Sequence, residues 1–348
     1  MKPWRPLQRL ILAILAILAT ALLGAATVGW WLHRPLALAS PAVELSIEAG
    51  MPPREVAAAW VKAGVLTEPA WLYHWFRFSG QARKIRAGSY ELEPGITPRG
   101  LLAKMVQGDE AFERVRLIEG WTFRQFRAAL AQAPHLKPAS AVLDDAALMA
   151  AIGQPGTAAE GRFFPDTYVY SRGVSDLTVL RRAAEAQQRR LQAVWAERAP
   201  GLPLASAEQA LVLASIIEKE TGQAADRGQI AGVFLNRLRI GMPLQTDPSV
   251  IYGLGQAFDG HLRKRDLLAD GPFNTYTRGG LPPTPIAMPG LASLRAAVRP
   301  DATPALYFVA RGDGSSAFSS DLAAHNLAVN QYQRNQRKRA QQAGGTPP

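Results

Sequence analysis

The segment LASIIEKETG, from Leu213 to Gly222, places two carboxyl groups directly after an apolar run. From Ala210 to Ile217 the chain carries only apolar residues and one serine, a pattern typical of a helix buried all round, and Glu218 and Glu220 follow within three residues. A carboxyl group set against apolar surface loses hydration in its charged form, which raises its pKa and suits it to donate a proton near neutral pH. The segment therefore predicts acid catalysis at the end of a buried helix.

Helical geometry separates the two acids. At about 100° per residue, Glu218 and Glu220 fall on nearly opposite faces of such a helix, so they cannot share one cleft. The face of Glu218 carries the small side chains of Ala214 and Ser215, which would leave room for a ligand. We expect Glu218 to be functional and Glu220 to pair with a cation or to join a structural network. Periodicity alone leaves open that both acids simply end a buried helix at the surface.

Other common site chemistries are not indicated by the sequence. The five histidines form no i, i+4 pair and there is no cysteine, which argues against a metal site, a thiol nucleophile and disulfides. Neither a Gly-rich phosphate loop nor a Gly-x-Ser-x-Gly nucleophile elbow occurs. We therefore expect no metal and no cofactor.

The net charge of +11 does not indicate a nucleic-acid partner. Residues 1–34 carry four cations and residues 332–348 carry another four, with no acid in either segment. The rest of the chain therefore carries only about +3, which is an ordinary protein surface.

The N-terminus predicts a membrane anchor. From Leu10 to Leu32 there are 23 residues without a charge, enough to span a hydrocarbon core of about 30 Å. Cations in residues 1–9 favour a cytoplasmic start, and Trp30 and Trp31 suit the membrane interface. We predict a single-pass inner-membrane protein whose remaining chain lies in the periplasm. The alternative is a cleaved signal peptide ending near the small-x-small segment 37–39, although its apolar stretch is usually shorter.

A pattern of strand, glycine turn and helix recurs three times, around Gly50, Gly95 and Gly120. In each copy an acid precedes the glycine and an arginine follows it four places later. Threonine suits the cap and proline the first helical position, and the residues concerned are Thr97, Thr122, Pro53 and Pro98. The irregular spacing excludes a solenoid and favours a small α+β module over residues 40–130. This unit resembles the LysM-like fold, whose family role is to hold N-acetylglucosamine glycans; purely structural turns remain an alternative.

A second α+β region is predicted over residues 157–332, after an Ala-, Pro- and Asp-rich connection. Its pattern predicts helices over 176–198, 206–221 and 226–240, and a hairpin in LYFVARGDGSSAFS near the C-terminus. Residues 333–348 have few apolar side chains and are predicted to form a disordered basic tail. The fold class is therefore α+β: a transmembrane helix, the small module and a larger catalytic domain.

Four segments carry a family resemblance, in the order EGRFFPDTY, LASIIEKETG, FLNRLRIGMPLQTDPSVIYGLG and NTYTRGGLPPTPIAMPG. Together they resemble the endolytic murein transglycosylases of the MltG or YceG-like family over nearly the whole chain. Arg162 is one departure, where many members have an aromatic or aliphatic residue. The resemblance implies a membrane-anchored enzyme that cuts the β-1,4 bond between N-acetylmuramic acid and N-acetylglucosamine inside peptidoglycan strands, leaves a 1,6-anhydro end and so terminates strand elongation.

The resemblance also assigns the catalytic acid, because the first glutamate of the family's Glu-Lys-Glu triplet corresponds to Glu218. Polar residues in two of the segments could hydrogen-bond or stack on sugar, namely Gln245, Thr246, Asp247, Asn274 and Tyr276. Turn-forming roles for these five remain equally open. The expected partners are peptidoglycan strands, the inner membrane and, from topology alone, peptidoglycan synthases.

Two rival functions remain at the level of sequence. One is a hydrolytic muramidase that uses Asp247 or Asp166 as a second carboxylate. The other is a non-catalytic, membrane-anchored scaffold that binds peptidoglycan through the module, with Glu218 merely ending a core helix.

Overall fold

A computed structural model describes residues 4–342 of the chain. The chain divides into two compact units. The first unit contains the chain up to Glu113 and a returning segment, Val169–Val174. The second unit contains Arg114–Tyr168 and the chain from Ser175 onward.

The first unit begins with a long apolar helix and continues with short strands and helices. Its elements are α1 (Trp4–His33), β1 (Ala37–Leu38), β2 (Val43–Ile47), α2 (Pro53–Ala63), β3 (Val65–Leu66), α3 (Pro69–Phe78), β4 (Gly88–Leu92) and α4 (Pro98–Gln107). β1 pairs with β3 and β2 pairs with β4, both antiparallel. The core between these elements contains large buried side chains, including Trp60, Phe76, Tyr90, Leu101 and Met105.

Within α1, the segment Leu10–His33 is long and apolar enough to cross a membrane. It agrees closely with the predicted span of residues 10–32. Its side chains are not buried inside the protein. This exposure suits a helix whose surroundings are lipid rather than protein.

The first two strand, turn and helix repeats fold as predicted. Gly50 and Gly95 have φ values of +85° and +101°, a region that favours glycine, and each lies between a strand and a helix. Thr97 caps α4 by accepting a hydrogen bond from the Gly100 amide at 3.0 Å, and Pro98 occupies the first turn. These local signals explain why the sequence predicted these two repeats correctly; α3 and the short strands β1 and β3 were not predicted.

The returning segment is held to the first unit by one arginine. Arg172 forms ion pairs with Glu91 at 3.1 Å and Glu113 at 3.0 Å, and another with Glu44. Its guanidinium group thus gathers carboxylates from three strands, β2, β4 and the one that begins at Phe112.

The second unit is mainly helical. Two paired strands, β5 (Phe112–Arg116) and β6 (Thr167–Ser171), each contain residues of both units. The helices of the second unit begin with α5 (Phe123–Ala131), α6 (Asp145–Ala151), α7 (Asp176–Ala196), α8 (Ala207–Glu220) and α9 (Ala224–Arg239). The unit continues with α10 (Asp247–Leu254), α11 (Lys264–Leu268), α12 (Leu291–Val298), β7 (Tyr307–Ala310), β8 (Ser316–Ser319) and α13 (Leu322–Gln342). The predicted helices over 176–198, 206–221 and 226–240 and the C-terminal hairpin are therefore confirmed, with ends that differ by at most two residues.

The third repeat belongs to the second unit, which corrects the predicted module boundary at residue 130. Its turn and cap form as expected, with Gly120 at φ +74° and a capping box between Thr122 and Gln125. However, Phe123 of α5 stacks on Phe163 with ring centroids 5.0 Å apart, and its amide donates to the Glu160 carboxylate at 3.0 Å. Because this helix buries its aromatic face among later residues, the compact first unit ends at Glu113 instead.

Two further expectations need correction. Residues 136–156 are more than a connection, because they include α6, whose Leu148 and Met149 are buried. The predicted disordered tail from residue 333 is helical as far as Gln342, since α13 continues through a segment rich in the helix formers Gln, Arg and Ala. Residues 343–348 of that tail lie outside the described part of the chain.

Candidate functional site

Helix α8 lies in the core of the second unit and ends at the candidate site. Ser206 caps its start by accepting a hydrogen bond from the Gln209 amide, and every residue from Ala210 to Ile217 is buried. The helix packs against α7, α9, α10 and α12. Burial on all sides fixes the axis of α8, so its last turn presents Glu218 and Glu220 in defined directions.

Glu218 and Glu220 point to different segments, as the helical wheel predicted. The carboxylate of Glu218 accepts a hydrogen bond from the Gly290 amide at 2.9 Å. The carboxylate of Glu220 instead accepts a hydrogen bond from the hydroxyl of Thr246. The two acids therefore do not form a pair.

The room expected beside Ala214 and Ser215 is filled. Both residues are fully buried, and the hydroxyl of Ser215 accepts a hydrogen bond from the Ile286 amide at 3.0 Å. The same hydroxyl donates to the carbonyl of Val212 at 2.7 Å. The segment from Ile286 to Gly290 thus covers this face of α8 beside Ser215, whereas Glu218 in the last turn is half-buried.

A second carboxyl group lies beside Glu218, on the turn of the third repeat. Glu119 packs against Gly290 so closely that a Cβ on that glycine would lie 2.0 Å from Glu119 Oε1. Two backbone hydrogen bonds fix the turn: the Gly120 amide donates to the Met288 carbonyl at 2.9 Å, and the Met288 amide donates to the Trp121 carbonyl at 2.8 Å. Glu119 and Glu218 therefore meet at the start of α12.

The surroundings of Glu119 make its charged form unfavourable. Burial raises its pKa first, the nearby charge of Glu218 raises it further, and Arg227 of α9 lowers it. Lys219 contributes to the same region, since its ammonium group donates to the Gly120 carbonyl at 3.3 Å. Glu218 and Lys219 in the last turn of α8 therefore lie close to Glu119, whose charge Arg227 also affects.

Sequence reasoning missed Glu119. The acid before each repeated glycine is visible as a pattern, but the pattern alone places Glu119 in the small module. No local signal links Glu119 to Glu218, because tertiary contacts bring their segments together. These contacts are the Gly120 amide donating to the Met288 carbonyl, the Met288 amide donating to the Trp121 carbonyl, and the Lys219 ammonium group donating to the Gly120 carbonyl.

A third carboxyl group, Glu160, is buried beside a cleft. It accepts hydrogen bonds from the Phe123 amide at 3.0 and 3.1 Å, which places it at the start of α5. Burial raises its pKa to about 7, although hydrogen bonds from Phe123, Tyr252 and Gly161 oppose this effect. The segment EGRFFPDTY contained this residue, but nothing in it indicated a buried acid.

The cleft beside Glu160 has a volume of about 1130 Å³. Its walls carry cations and an aromatic side chain besides the acid, and they include Arg124, Arg127, Lys219 and Tyr252. Lys219 belongs to both the cleft wall and the last turn of α8. The cleft wall therefore includes the residue that follows Glu218 in the chain.

Four of the five predicted substrate-binding residues gather near Glu220 rather than Glu218. The Thr246 hydroxyl binds Glu220, the Tyr276 hydroxyl donates to Asp247, and Arg237 donates to the side-chain oxygen of Gln245 at 3.5 Å. Burial raises the pKa of Glu220 to about 7, despite the hydrogen bond from Thr246 and the charge of Arg237. Glu220 therefore joins a structural network, as expected.

The fifth, Asn274, holds a turn together. Its amide nitrogen donates to the carbonyls of Asp266, Leu267 and Ala269, and its side-chain oxygen accepts from the Tyr276 amide at 2.9 Å. Asn274 and Thr246 are buried, whereas Gln245 and Asp247 are exposed.

The two acids that the sequence offered as the second carboxylate of a hydrolase are paired with other side chains. Asp247 is bonded to Tyr276, and Asp166 forms an ion pair with Arg190 at 3.8 Å. Across residues 4–342, no group of three or more histidine and acidic side chains is arranged to hold a metal ion.

Comparison with known proteins gives a consistent set of similarities. The sequence profile of the YceG-like family matches residues 45–331. A Bacillus subtilis protein named endolytic murein transglycosylase is 32% identical over 307 residues, which cover 83% of this chain and 84% of the relative. A Streptococcus pneumoniae protein with the same name is 26% identical, over 83% of this chain and 58% of its own length. A crystal structure of a YceG-like protein from Listeria monocytogenes aligns with a TM-score of 0.53 at 28% identity, covering 82% of this chain and 98% of that one.

Proposed function

Because this chain belongs to the YceG-like family, we propose that it is an endolytic murein transglycosylase with Glu218 as its catalytic acid. The observation that carries the proposal is the position of Glu218 at the end of the buried helix α8, half-buried and held by the Gly290 amide. The name of the Bacillus subtilis relative supports the same activity. The substrate is peptidoglycan, and the bond cut is the β-1,4 bond between N-acetylmuramic acid and N-acetylglucosamine within a strand.

The chemistry needs only one proton carrier. Glu218 in its acid form protonates the departing glycosidic oxygen, and its carboxylate then takes the proton of the sugar's own C6 hydroxyl as that oxygen closes on C1. This closure forms the 1,6-anhydro end. Since the attacking group is tethered to the same sugar ring, its effective concentration is high and no positioned water is needed.

A hydrolytic muramidase is the second candidate, and one observation favours keeping it. Hydrolases of glycosides use two carboxyl groups, and Glu119 lies beside Glu218. In that reaction Glu119 would act on water or on the anomeric carbon. In the lytic reaction Glu119 instead adjusts the charge around Glu218.

We assign the glycan to the surface that runs from Glu218 into the adjoining cleft. Lys219 lies next to Glu218 and also lines the cleft, so it connects the two parts of this surface. Arg124 and Tyr252 line the cleft with groups that bind acetamido oxygens or stack on sugar rings. Of the substrate contacts predicted from sequence, Gln245, Asp247 and Tyr276 retain some exposure and remain part of the proposal. Thr246 and Asn274 act indirectly, by holding the surrounding turns.

The membrane and the first unit complete the proposal. α1 anchors the enzyme in the inner membrane with residues 1–9 in the cytoplasm and the catalytic unit in the periplasm, where its cuts terminate the elongation of nascent strands. The first unit acts as a LysM-like module that holds glycan. An enzyme fixed at this surface meets strands as they emerge, so peptidoglycan synthases are its proposed partners.

The mass of the products tests the reaction. The purified full chain, in detergent, is incubated with intact sacculi, and the released glycans are analysed by mass spectrometry. We expect muramic acid ends lighter by one water than reducing ends. Reducing ends throughout would establish hydrolysis instead, and binding to sacculi without any release would support the non-catalytic scaffold.

A further inference from the structure

Helix α3 carries an exposed aromatic stripe, formed by Trp71, His74 and Phe78. Trp71 is 53% exposed and Phe78 is 79% exposed, whereas Leu72 and Phe76 on the other face are buried in the core of the first unit. Spacings of three and four residues put the members of the stripe on one side of the helix. His74 also stacks on Phe78, with ring centroids 6.0 Å apart. Large aromatic side chains left exposed in this way mark a surface that binds something.

The stripe begins at the end of the membrane-spanning helix. Trp31 of α1 contacts Trp71 edge to face, with ring centroids 5.5 Å apart. Trp30 is exposed, and the guanidinium group of Arg34 lies 4.8 Å from its ring centroid. Tryptophan and arginine at the end of an apolar span mark the level of the lipid headgroups. Trp71 therefore lies at that level too.

Helix α1 is closely connected to the rest of the first unit. Only three residues separate His33 from β1, which pairs with β3 immediately before α3. Within that short connection, Leu36 is buried and its amide donates to the Ile96 carbonyl at 2.8 Å. α1 also packs against α4. The fold therefore keeps α3 near the end of α1.

The charge of this region suits an anionic surface. From Pro69 to Gly88 the chain carries four cations and no acid. The cations are exposed, and they are Arg77, Arg83, Lys84 and Arg86. Basic side chains next to exposed aromatic ones are typical of segments that lie in the headgroup layer of anionic membranes.

We propose that the aromatic stripe and the cations that follow it dock on the anionic lipid headgroups of the membrane that α1 spans. The apolar rings enter the interface and the cations bind lipid phosphates. This contact holds the first unit flat on the bilayer rather than merely tethered to it. The inference rests on the proposed anchoring of α1 and is independent of the reaction at Glu218.

The natural absence of cysteine allows a direct test. Single cysteines replace three alanine or leucine residues of the full chain: Ala70→Cys beside the stripe, Ala58→Cys on the exposed side of α2, and Leu18→Cys within α1. Each is labelled with an environment-sensitive fluorophore and reconstituted into vesicles that contain phosphatidylglycerol. Quenching by nitroxide-labelled lipids then reports which labels touch the bilayer.

We expect strong quenching at residues 18 and 70 and little at residue 58. The substitutions Phe78→Ser and Lys84→Gln should each reduce quenching at residue 70 by about half without changing it at residue 18. Replacing phosphatidylglycerol by phosphatidylcholine should have the same effect. Quenching at residue 18 without any at residue 70 would overturn the docking surface and leave the anchor intact. Absence of quenching at both residue 18 and residue 70 would overturn the anchor as well. A blue shift of the fluorescence at residue 70 without lipid quenching would assign the stripe to a protein contact and overturn the docking surface.

Discussion

The carboxyl groups of Glu119 and Glu218, far apart in the sequence, converge on the backbone of Gly290. The Gly290 amide donates to Glu218 at 2.9 Å, while the Glu119 carboxyl occupies the space that a side chain at residue 290 would need. Because glycine has no Cβ, Glu119 can approach the same backbone that binds Glu218. The candidate site therefore depends on a small residue that itself carries no chemistry.

Glu218→Gln should abolish cleavage of sacculi, by roughly 100-fold or more, because the amide cannot donate a proton to the leaving oxygen. The variant is nearly isosteric and can keep the hydrogen bond from Gly290, so its melting temperature should stay close to that of the parent. Glu185→Gln, a change at an exposed acid of α7, is the matched control and should keep full activity. Retained cleavage by Glu218→Gln would remove this residue from the mechanism.

Gly290→Ala should impair cleavage while leaving the fold intact. Gly290 has φ −75°, so alanine causes no backbone strain, but its Cβ would push the flexible carboxyl group of Glu119 out of place. We expect a loss of activity of about tenfold or more, which corresponds to roughly 1.4 kcal/mol in the barrier. Gly279→Ala is the control, since a Cβ there meets nothing within 4 Å. Equal activity of the two variants would show that Glu119 does not matter for the reaction.

Glu119→Gln should change the pH dependence of cleavage. Burial and the charge of Glu218 raise the pKa of Glu119, so it titrates closer to neutral pH than an exposed glutamate does. The variant keeps the packing against Gly290 but removes this ionisation. Activity measured from pH 4 to 9 should therefore show one ionisation fewer than in the parent. An unchanged profile, with only a lower maximum, would indicate a packing role alone.

Stability should fall as the pH rises from about 4.5 to 7. Burial raises the folded-state pKa of both Glu160 and Glu220 from 4.5 to about 7. Below pH 4.5 the two carboxyl groups are protonated in the folded and in the unfolded protein. Above pH 4.5 they ionise first in the unfolded protein, which stabilises the unfolded state. This effect grows until the same groups ionise in the folded protein near pH 7. The loss is on the order of 3 kcal/mol per group. Urea unfolding at several pH values should show this slope, and Glu160→Gln or Glu220→Gln should each reduce it; a parallel slope in either variant would contradict the assignment.

Gly161→Ala should destabilise the second unit strongly. Gly161 has φ +79°, and its Cβ would lie 2.5 Å from the ring of Pro285. Gly201 has a similar φ of +71° but open space around it, so Gly201→Ala reports the backbone strain alone, about 1 kcal/mol. The variant at residue 161 should lose about 1–3 kcal/mol more because of the steric clash. Equal unfolding midpoints for the two would show that Pro285 moves aside freely.

Local sequence signals predicted much of the fold. Caps, first-turn prolines and repeated glycines predicted the strand, turn and helix around Gly50 and Gly95, because each signal acts on residues only a few positions away; β1, β3 and α3 were not predicted. The all-round apolar run predicted α8 for the same reason. The wheel also separated Glu218 from Glu220, since helix geometry fixes their directions before any partner is known.

The sequence by itself determined the strand, turn and helix repeats, helices α7 to α9, the C-terminal hairpin, the candidate span and the residue expected to carry the proton. Only the tertiary structure decided what surrounds that residue: it placed Glu119 at Gly290, closed the face of Ser215 with Ile286, and buried Glu160 beside a cleft. The reason is physical. A turn or helix depends on neighbouring residues, whereas the loss of water around a carboxyl group depends on segments that are remote in the chain and meet only when the unit packs.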